Sequence, residues 1–462
     1  MASSTKEHLH FLGIAGHAMR GVAMAARELG YAVTGTDVGA KPPGSTWLDT
    51  HKFTWWHTSD AKHLEGVDRI VMTGGIPLDD PELTAAQQQN IPIVSYAEFV
   101  GELAASKRRI VISGTHGKTT TTSLITWILE SAGKHPDFLI GIKPHNFDSS
   151  VRLSDSEVIV LEGDEYKASS IDNRSKFEYY RPDVLVATSL EMDHPDMFNN
   201  IGEIRERFEK VIAGVPKDGL MLYWRGSEAL HQLARSARAT VASYGNEGDW
   251  HADHISFHVH GISLDAYHDE AYEGHYMVPL YGRHNINNAL SAIAVAKNEN
   301  LPVDQIQAGF VGFKGAARRF QIVSAPVSDV IVVDDYAHHP TEIATTIEAA
   351  KLHFDRRVIA VIRPHTYSRT KELLQEHRKA AGRADVAFIT DIEGARETGF
   401  EATVSGGDIA KNNGQSIYYE PDRTKLVERI VAEAQPGDIV LSMTVSGYDD
   451  LAEELATRLK TL

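Results

Sequence analysis

The chain carries the stretch Gly114-Thr115-His116-Gly117-Lys118-Thr119-Thr120 between a strand-like run at residues 109–113 and a helix-like run at residues 121–131. In that setting, glycines let backbone N–H groups surround phosphate oxygens, and the helix N-terminus adds positive potential. Lys118 can reach the outer phosphates and Thr119 can bind magnesium. The stretch therefore predicts a nucleotide-binding loop rather than a plain glycine turn.

Two acidic segments follow further apolar runs, Glu162-Gly163-Asp164-Glu165 and Glu191-Met192-Asp193-His194. A parallel sheet presents its ligands at the carboxyl ends of its strands. Carboxylates and an imidazole at that edge could hold magnesium beside the phosphates. Such residues can instead cap a helix or face water, and only the neighbouring phosphate loop favours the metal site.

A glycine turn at residues 12–19 joins the first strand-like run to a helix, and Asp37 ends the next strand. This arrangement is similar to a dinucleotide fingerprint, in which a diphosphate lies at the helix start and an acid lies near a ribose. The glycine spacing is irregular. A turn that serves only helix packing therefore remains open, and a diphosphate other than a nicotinamide cofactor is favoured.

Three later clusters also carry candidate residues. Residues 282–288 open an alanine-rich helix, where asparagines could read a base or only cap the helix. Arg318-Arg319 could place a guanidinium on a transferring phosphoryl group, or could lie solvated on the surface. Residues 334–340 end a strand with two acids and two histidines, and a histidine metal site there is the less favoured interpretation.

The composition limits the class of protein. A length of 462 residues suggests roughly three domains. The formal net charge of -17 argues against non-specific binding of nucleic acid. Cysteine is absent from the sequence, which excludes disulfides and thiolate chemistry. A polar N-terminus and the lack of any long apolar stretch predict a cytoplasmic protein without membrane insertion.

The order of strand-like and helix-like runs indicates three α/β regions. The first hundred residues alternate short apolar runs with amphipathic segments, which is typical of a parallel sheet with crossover helices. A polar junction at residues 107–109 precedes the phosphate-loop region. Glycines and arginines at residues 312–319 precede a third alternating region.

In this order, the motifs resemble the Mur ligases of peptidoglycan synthesis over nearly the whole chain. The turn at residues 16–19, the loop at 114–120 and the segments at 282–288 and 334–340 look like the members that use UDP-N-acetylmuramate. The resemblance implies that ATP phosphorylates the lactyl carboxylate, an amine attacks the acyl phosphate and phosphate leaves. The expected enzyme is thus an ATP-dependent ligase that needs ATP and Mg2+.

The resemblance also implies an α/β fold of three domains. Residues 1–107 would form a dinucleotide-fold-like UDP-sugar domain, and residues 108–317 would form the central phosphate-loop ATPase domain. Residues 318–462 would form a dinucleotide-fold-like domain that brings the amine and closes over the ATP. The expected partners are small-molecule substrates, with no nucleic acid, and the chain is expected to be a monomer or a homodimer.

Residue roles carry over from the motifs that match. The resemblance implies catalytic roles for Lys118, His194, Arg319 and His338, and magnesium ligands at Thr119, Glu162 and His194. It implies ATP contacts from Gly114, Thr115, His116, Gly117, Lys118, Thr119, Thr120, Asn285, Asn288, Arg319 and Asp335. It implies UDP-sugar contacts from Ala15, Gly16, His17, Ala18, Met19 and Asp37, and amine-substrate contacts from His339, His365 and Arg369. Several relatives hold a second magnesium with a carbamylated lysine, for which no motif here matches.

The amine is harder to predict, because the family members that use UDP-N-acetylmuramate add either L-alanine or the tripeptide L-alanyl-gamma-D-glutamyl-meso-diaminopimelate. Segments of the first two domains, above all residues 164–166 and 172–177, look like the tripeptide enzyme. Residues 362–370 and 391–397 look more like the alanine enzyme. The sequence favours the tripeptide narrowly, with L-alanine as the alternative.

Two rival classes explain less of the sequence. A phosphate-loop nucleotide switch would account for residues 114–120 but leaves the N-terminal turn and the third region without a role. A nicotinamide-dependent dehydrogenase built on residues 13–37 leaves the phosphate loop unexplained.

Overall fold

The computed structural model describes residues 6–192, 197–198, 200–324, 329–394, 397, 403–411 and 416–460. The chain forms two compact units. Among the described residues, the first unit holds those up to 192 together with 197–251 and 290–314, and the second holds 252–289 and those from 315 onward. No helix within these described ranges is long and apolar enough to cross a membrane.

The first unit begins with a fully parallel sheet of order β3-β2-β1-β4-β5. Its strands are β1 (His8–Leu12), β2 (Ala32–Thr36), β3 (Thr54–Trp56), β4 (Arg69–Met72) and β5 (Ile93–Ser95), and its helices are α1 (His17–Glu28), α2 (Gly44–Thr50), α3 (Pro81–Gln88) and α4 (Tyr96–Leu103). Alternate residues of β1 pack on opposite faces, with Leu9 and Phe11 in one core and Leu12 in another. Both faces of the sheet are therefore apolar, as parallel sheets require.

A second sheet of the same unit has the order β12-β11-β10-β6-β9-β7-β8. The strands are β6 (Arg108–Ser113), β7 (Asp137–Leu139), β8 (Val151–Arg152), β9 (Val158–Gly163), β10 (Val184–Ala187), β11 (Leu220–Trp224) and β12 (Thr240–Tyr244). The helices of this region are α5 (Lys118–Ser131), α6 (Lys176–Tyr180), α7 (Ile201–Gly214), α8 (Glu228–Ala234) and α10 (Val303–Gly312). Strand β6 lies between β10 and β9, so the phosphate loop that follows β6 starts in the middle of the sheet.

Two elements cross the division between the units, β13 (Trp250–His258) and α9 (His284–Asn298). The sequence predicts that residues 282–288 open an alanine-rich helix at residues 289–297, whereas α9 already begins at His284. Asn285 and Asn288 therefore project from the first turns of the helix rather than from a loop before it. The second unit also contains an antiparallel hairpin, β14 (Gly261–His268) with β15 (Ala271–Val278).

The main sheet of the second unit has the order β16-β17-β21-β18-β19-β20. Its strands are β16 (Gln321–Ile322), β17 (Ile331–Asp335), β18 (Val358–Ile362), β19 (Val386–Ile389), β20 (Ile417–Tyr419) and β21 (Ile439–Met443). All neighbouring strands are parallel except β16, which runs antiparallel to β17. The helices are α11 (Pro340–Phe354), α12 (Tyr367–Glu372), α13 (Leu374–Ala381), α14 (Gly406–Ala410), α15 (Arg423–Glu433) and α16 (Leu451–Arg458).

Helices cover both faces of this sheet. Val358, Ala360 and Ile362 of β18 pack in the core that α11 and α13 help to form, whereas Ile359 and Val361 pack in the core formed with α15 and α16. A strand buried on both faces reads as a continuous apolar run, which is why residues 358–362 are entirely apolar. The predicted α/β fold built on parallel sheets is confirmed.

Candidate active site

The phosphate loop connects β6 to α5 and depends on two glycines. Gly114 has a φ of +141° and Gly117 a φ of +82°. A Cβ at Gly114 would collide with the Thr188 hydroxyl and would lie 2.7 Å from the Ser189 nitrogen. The loop is tied to the end of β10, because the His116 N–H donates to the Ser189 hydroxyl at 2.8 Å. Only glycine fits at residue 114 without moving this neighbouring segment.

Lys118 is a charged group held inside this loop. Its ammonium donates to the Gly114 carbonyl and, at 3.1 Å, to the Glu165 carboxylate. Burial lowers the pKa of Lys118, but the carboxylates of Glu165, Asp164 and Glu162 outweigh burial and leave it above its ordinary value. The lysine is therefore a permanent cation at the place where the outer phosphates of a nucleotide are expected.

Thr119 and Glu162 form the oxygen pair that suits a magnesium ion. The Thr119 hydroxyl donates to Glu162 Oε1 at 2.7 Å, and the Gly141 N–H donates to Glu162 Oε2 at 2.6 Å. Burial, followed by the charge of Asp164, raises the pKa of Glu162. A hydroxyl and a carboxylate are hard oxygen donors of the kind that magnesium prefers. A divalent cation bound to Glu162 would offset the free-energy cost of burying its charged carboxylate. The third predicted ligand, His194, lies outside the described residues.

A second ion pair lies next to Glu162 and was not predicted from the sequence. The Lys176 ammonium is 2.9 Å from Asp164 Oδ2 and 4.0 Å from the centre of the Tyr166 ring. Although burial raises the pKa of Asp164, Lys176 and Lys118 outweigh it and lower that pKa. Lys176 comes from α6, twelve positions along the chain from Asp164, and no local pattern announces this pairing.

The N-terminal glycine turn is hydrogen-bonded to Asp37, and a diphosphate site there stays a prediction. The Ala15 N–H donates to Asp37 Oδ2 at 3.0 Å, and the Gly13 N–H donates to the Thr36 carbonyl at 2.7 Å. Gly16 is the N-cap of α1, whose first turn, including His17, Ala18 and Met19, contains no acidic residue. Burial and then the charge of Arg20 lower the pKa of His17. A helix N-terminus of this kind is suited to a diphosphate.

Below that turn lies a buried polar network that the sequence did not indicate. Glu82, at the start of α3, accepts from the Thr36 hydroxyl at 2.8 Å and contacts His63 Nδ1 at 2.6 Å. The His10 ring lies 3.4 Å from the other Glu82 oxygen. These groups fix the end of β2, from which Asp37 emerges.

The two arginines before β17 have different surroundings. Arg318 donates to Asp334 at 3.1 Å, to Asp449 at 2.7 Å and to the Thr444 carbonyl at 2.7 Å. Arg319 Nε is buried and has no hydrogen-bond partner among the described residues. Arg318 is therefore anchored within the fold, and a ligand contact by Arg319 stays a prediction.

Asp335 uses its carboxylate within the fold. Its oxygens accept the N–H groups of Phe320 and Ala337, each at 2.7 Å. Burial raises the pKa of Asp335 to about 6, against the opposing effects of Arg319 and these N–H groups. A contact between Asp335 and the ATP ribose stays a prediction, since both carboxylate oxygens already accept hydrogen bonds.

Histidines and an arginine cluster where β17 and β18 end. The Tyr336 carbonyl accepts from His338 Nδ1 at 2.9 Å, so Nδ1 must carry the hydrogen and, when the ring is neutral, Nε2 carries the lone pair. The His338 and His365 rings lie 5.1 Å apart. Arg369 Nη1 is 3.3 Å from His365 Nδ1. His339 caps α11 by accepting the Thr341 N–H.

The predicted adenine contacts are close to each other. Asn288 Nδ2 donates to Asn285 Oδ1 at 2.7 Å, and Asn285 Nδ2 donates to the Tyr281 carbonyl at 2.7 Å. Both side chains are buried. Their role toward a base stays a prediction.

The phosphate loop, its buried lysine and the hydroxyl–carboxylate pair, set among parallel α/β sheets, define a nucleotide-dependent enzyme of several domains. Three family models match the chain: "Mur ligase family, catalytic domain" at residues 8–108, "Mur ligase middle domain" at residues 112–296, and "Mur ligase, glutamate ligase domain" at residues 318–444.

Individual proteins agree with these matches. The UDP-N-acetylmuramate–L-alanine ligase of Geotalea uraniireducens is 34% identical over 459 residues, covering 98% of each chain. The crystal structure of the UDP-N-acetylmuramate-alanine ligase of Thermotoga maritima aligns with a TM-score of 0.81 at 21% identity, covering 98% of this chain and 99% of that one, and supports the fold. The UDP-N-acetylmuramate:L-alanyl-gamma-D-glutamyl-meso-diaminopimelate ligase of Neisseria meningitides is 33% identical, with a TM-score of 0.63, covering 68% of this chain and 99% of that one.

The chain belongs to the Mur ligase family, whose members are ATP-dependent ligases that form amide bonds in peptidoglycan synthesis.

Proposed function

We propose that this chain joins the lactyl carboxylate of UDP-N-acetylmuramate to the amino group of L-alanine, with ATP converted to ADP and phosphate. The use of ATP is supported by the phosphate loop, in which Lys118 is charged and the Thr119 hydroxyl is hydrogen-bonded to Glu162. A carboxylate is a poor electrophile, so its phosphorylation is the step that makes amide formation possible.

The residues have distinct parts in this chemistry. Lys118 neutralises negative charge on the transferring phosphoryl group, and the guanidinium of Arg319, whose Nε is buried, is a second candidate for that charge. A magnesium ion held by Thr119 and Glu162, with His194 as a further ligand, would neutralise the phosphate oxygens. The turn at Gly16 binds the UDP diphosphate through backbone N–H groups.

His338 is the proposed general base toward the amine. Its Nδ1–H donates to the Tyr336 carbonyl, so that Nε2 can accept a proton when the ring is neutral. An ammonium group cannot attack an acyl phosphate until it loses a proton. His339, His365 and Arg369 would hold the carboxylate of the amine substrate, since His365 and Arg369 already lie together.

L-Alanine is proposed as the amine because its support comes from the domain expected to bind the amine. Residues 362–370, which contain His365 and Arg369, look like the alanine enzyme. The Geotalea uraniireducens relative, similar over almost the whole chain, is named for L-alanine. The sequence motifs alone narrowly favour the tripeptide, so this proposal reverses that preference.

The tripeptide remains the second candidate. It is favoured by the similarity to the Neisseria meningitides ligase and by the segment at residues 164–177. That segment contains Asp164 and Lys176, which form the ion pair beside Glu162, and Tyr166, whose ring centre lies 4.0 Å from the Lys176 ammonium.

Phosphate release separates the candidates. The full chain is incubated with ATP, Mg2+ and UDP-N-acetylmuramate, together with either L-alanine or the tripeptide. Phosphate release is measured, and the product is identified by mass spectrometry. Release that needs both UDP-N-acetylmuramate and L-alanine, and that stops when EDTA removes magnesium, is expected. Phosphate release with the tripeptide but not with L-alanine would mean that the tripeptide is the amine substrate. Release that needs neither substrate would contradict a ligase and point to a nucleotide switch.

A further inference from the structure

His377, on α13, is a buried histidine whose ring makes no hydrogen bond within the part of the chain that the structure describes. Its side chain is 1% exposed. Neither Nδ1 nor Nε2 has a hydrogen-bond partner among the described residues. A neutral imidazole always carries one donor and one acceptor, and burying both without partners destabilises the fold. Folded proteins leave few such groups, and each needs a physical reason.

The surroundings of His377 are the groups assigned to the amine substrate. Helix α13 packs against α11, which His339 caps, and against α12, which carries Arg369. Burial, followed by the charges of His339, Arg369 and His338, lowers the pKa of His377 to about 3. The ring is therefore neutral at any physiological pH. It offers hydrogen bonds to this cluster without adding another positive charge.

His353, in the same unit, is a buried histidine with a structural role, and both of its ring nitrogens have hydrogen-bond partners. It lies near the other end of α11 and is also buried. Its Nε2 accepts the Gly282 N–H at 2.9 Å, and its Nδ1 donates to the His258 carbonyl at 2.7 Å. Packing alone would be served better at residue 377 by phenylalanine, which fills a similar volume without polar atoms to satisfy.

We propose that His377 is a positioning residue of the amine-substrate site. The acceptor nitrogen of its ring receives a hydrogen bond from the guanidinium of Arg369 when Arg369 turns to the carboxylate of the amine substrate. Part of the cost of burying the ring without a partner in the free enzyme is thereby recovered in the bound state. This inference rests on the proposed function, because it assumes that Arg369 and His339 bind the amine substrate.

His377→Phe tests the inference. The variant should unfold at the same temperature as the wild type or higher, because unpaired polar atoms are removed. Its KM for the amine should rise roughly tenfold, the loss expected for one hydrogen bond to a charged group. The KM values for ATP and UDP-N-acetylmuramate and the kcat at saturating amine should not change. His377→Gln, which keeps a donor and an acceptor, should restore much of the amine affinity.

His353→Phe is the matched control. It removes a buried histidine that has both partners, so it should lower the unfolding temperature and leave the amine KM unchanged. An unchanged amine KM in His377→Phe, or a loss of stability as large as that of His353→Phe, would overturn the inference. A wild-type chain that ligates neither amine to UDP-N-acetylmuramate would refute the proposed function, and the inference with it, before any variant is compared.

Discussion

At the scale of single residues, the Lys118 ammonium already has hydrogen-bond partners that the phosphates of ATP would have to displace. Its ammonium is bound to Glu165 and to the Gly114 carbonyl. We expect Lys118→Ala to abolish measurable ligation, because removing a charge partner of the transition state costs on the order of 3 kcal/mol or more. The measurement is kcat/KM for phosphate release.

Lys134→Ala is the control for this prediction. Lys134 is an exposed lysine just beyond the end of α5, and its loss should leave activity unchanged. Circular dichroism should show that both variants fold. A folded Lys118→Ala protein with near-normal turnover would remove Lys118 from the ATP site.

A second residue-scale prediction concerns the pH dependence of Asp335. Burial raises its pKa from 3.8 to about 6 in the folded chain. The folded state therefore binds this proton more tightly than the unfolded state, so the resulting stability is complete below about pH 4 and is lost as the pH rises through about 6. Asp335→Asn cannot titrate and lacks this dependence.

Hydrogen exchange in β17, corrected for the intrinsic exchange rate at each pH, measures the effect. Between about pH 7 and pH 5, the opening free energy of the wild type should rise by about 1 kcal/mol relative to Asp335→Asn. Asp334, whose pKa burial also raises to about 6, titrates in both proteins. Parallel pH profiles of the two proteins would mean that Asp335 is already ionised at pH 5.

At the scale of elements, the phosphate loop tolerates no Cβ at its first glycine. In Gly114→Ala the new methyl would collide with the Thr188 hydroxyl and the Ser189 nitrogen, at a φ of +141°. We expect the variant to lose about 2 kcal/mol of stability and to raise the KM for ATP at least tenfold, because the loop must move. Thermal unfolding and steady-state kinetics test both parts.

Gly214→Ala is the matched control for Gly114→Ala. Gly214 is the last residue of α7, and a Cβ there would meet nothing within 4 Å. Alanine favours helix over glycine, so stability should be unchanged or slightly higher. Equal kinetics for Gly114→Ala and Gly214→Ala would show that the loop does not hold the phosphates.

At the scale of the whole molecule, residues predicted to serve one ATP lie in both compact units, with Lys118 in the first and Asp335 in the second. They must converge on one nucleotide, and an acyl phosphate must be shielded from water. We therefore expect the C-terminal domain to move toward the central domain when ATP and UDP-N-acetylmuramate bind. Small-angle scattering with an ATP analogue and UDP-N-acetylmuramate should give a smaller radius of gyration. An unchanged radius with both ligands bound would contradict closure.

The contacts narrow the expected hinge from residues 312–319 to residues 315–317. Asn146 binds both the Gly312 carbonyl and the Lys314 N–H, each at 2.8 Å, within the first unit. Arg318 is anchored within the second unit by Asp334 and Asp449. Between these anchors, Gly315 has a φ of +78°, and a Cβ there would meet nothing within 4 Å. The chain also passes between the units at residues 251–252 and 289–290, within β13 and α9.

The sequence by itself was sufficient for features made from adjacent residues. The phosphate loop depends on a strand, two glycines and a helix that follow one another, and backbone preferences of this kind act locally. The same holds for the turn at Gly16 and for the apolar run of β18, since a strand buried on both faces must be apolar along its length. The order of these motifs also indicated the family.

Only the tertiary structure decided which distant side chains meet. It paired Lys118 with Glu165 and Lys176 with Asp164, and it distinguished the anchored Arg318 from Arg319. It also buried the His377 ring without a hydrogen-bond partner among the residues that the structure describes. The physical reason is that such contacts depend on how crossover helices and strands pack, and a sequence pattern specifies that a side chain is buried without specifying its neighbours.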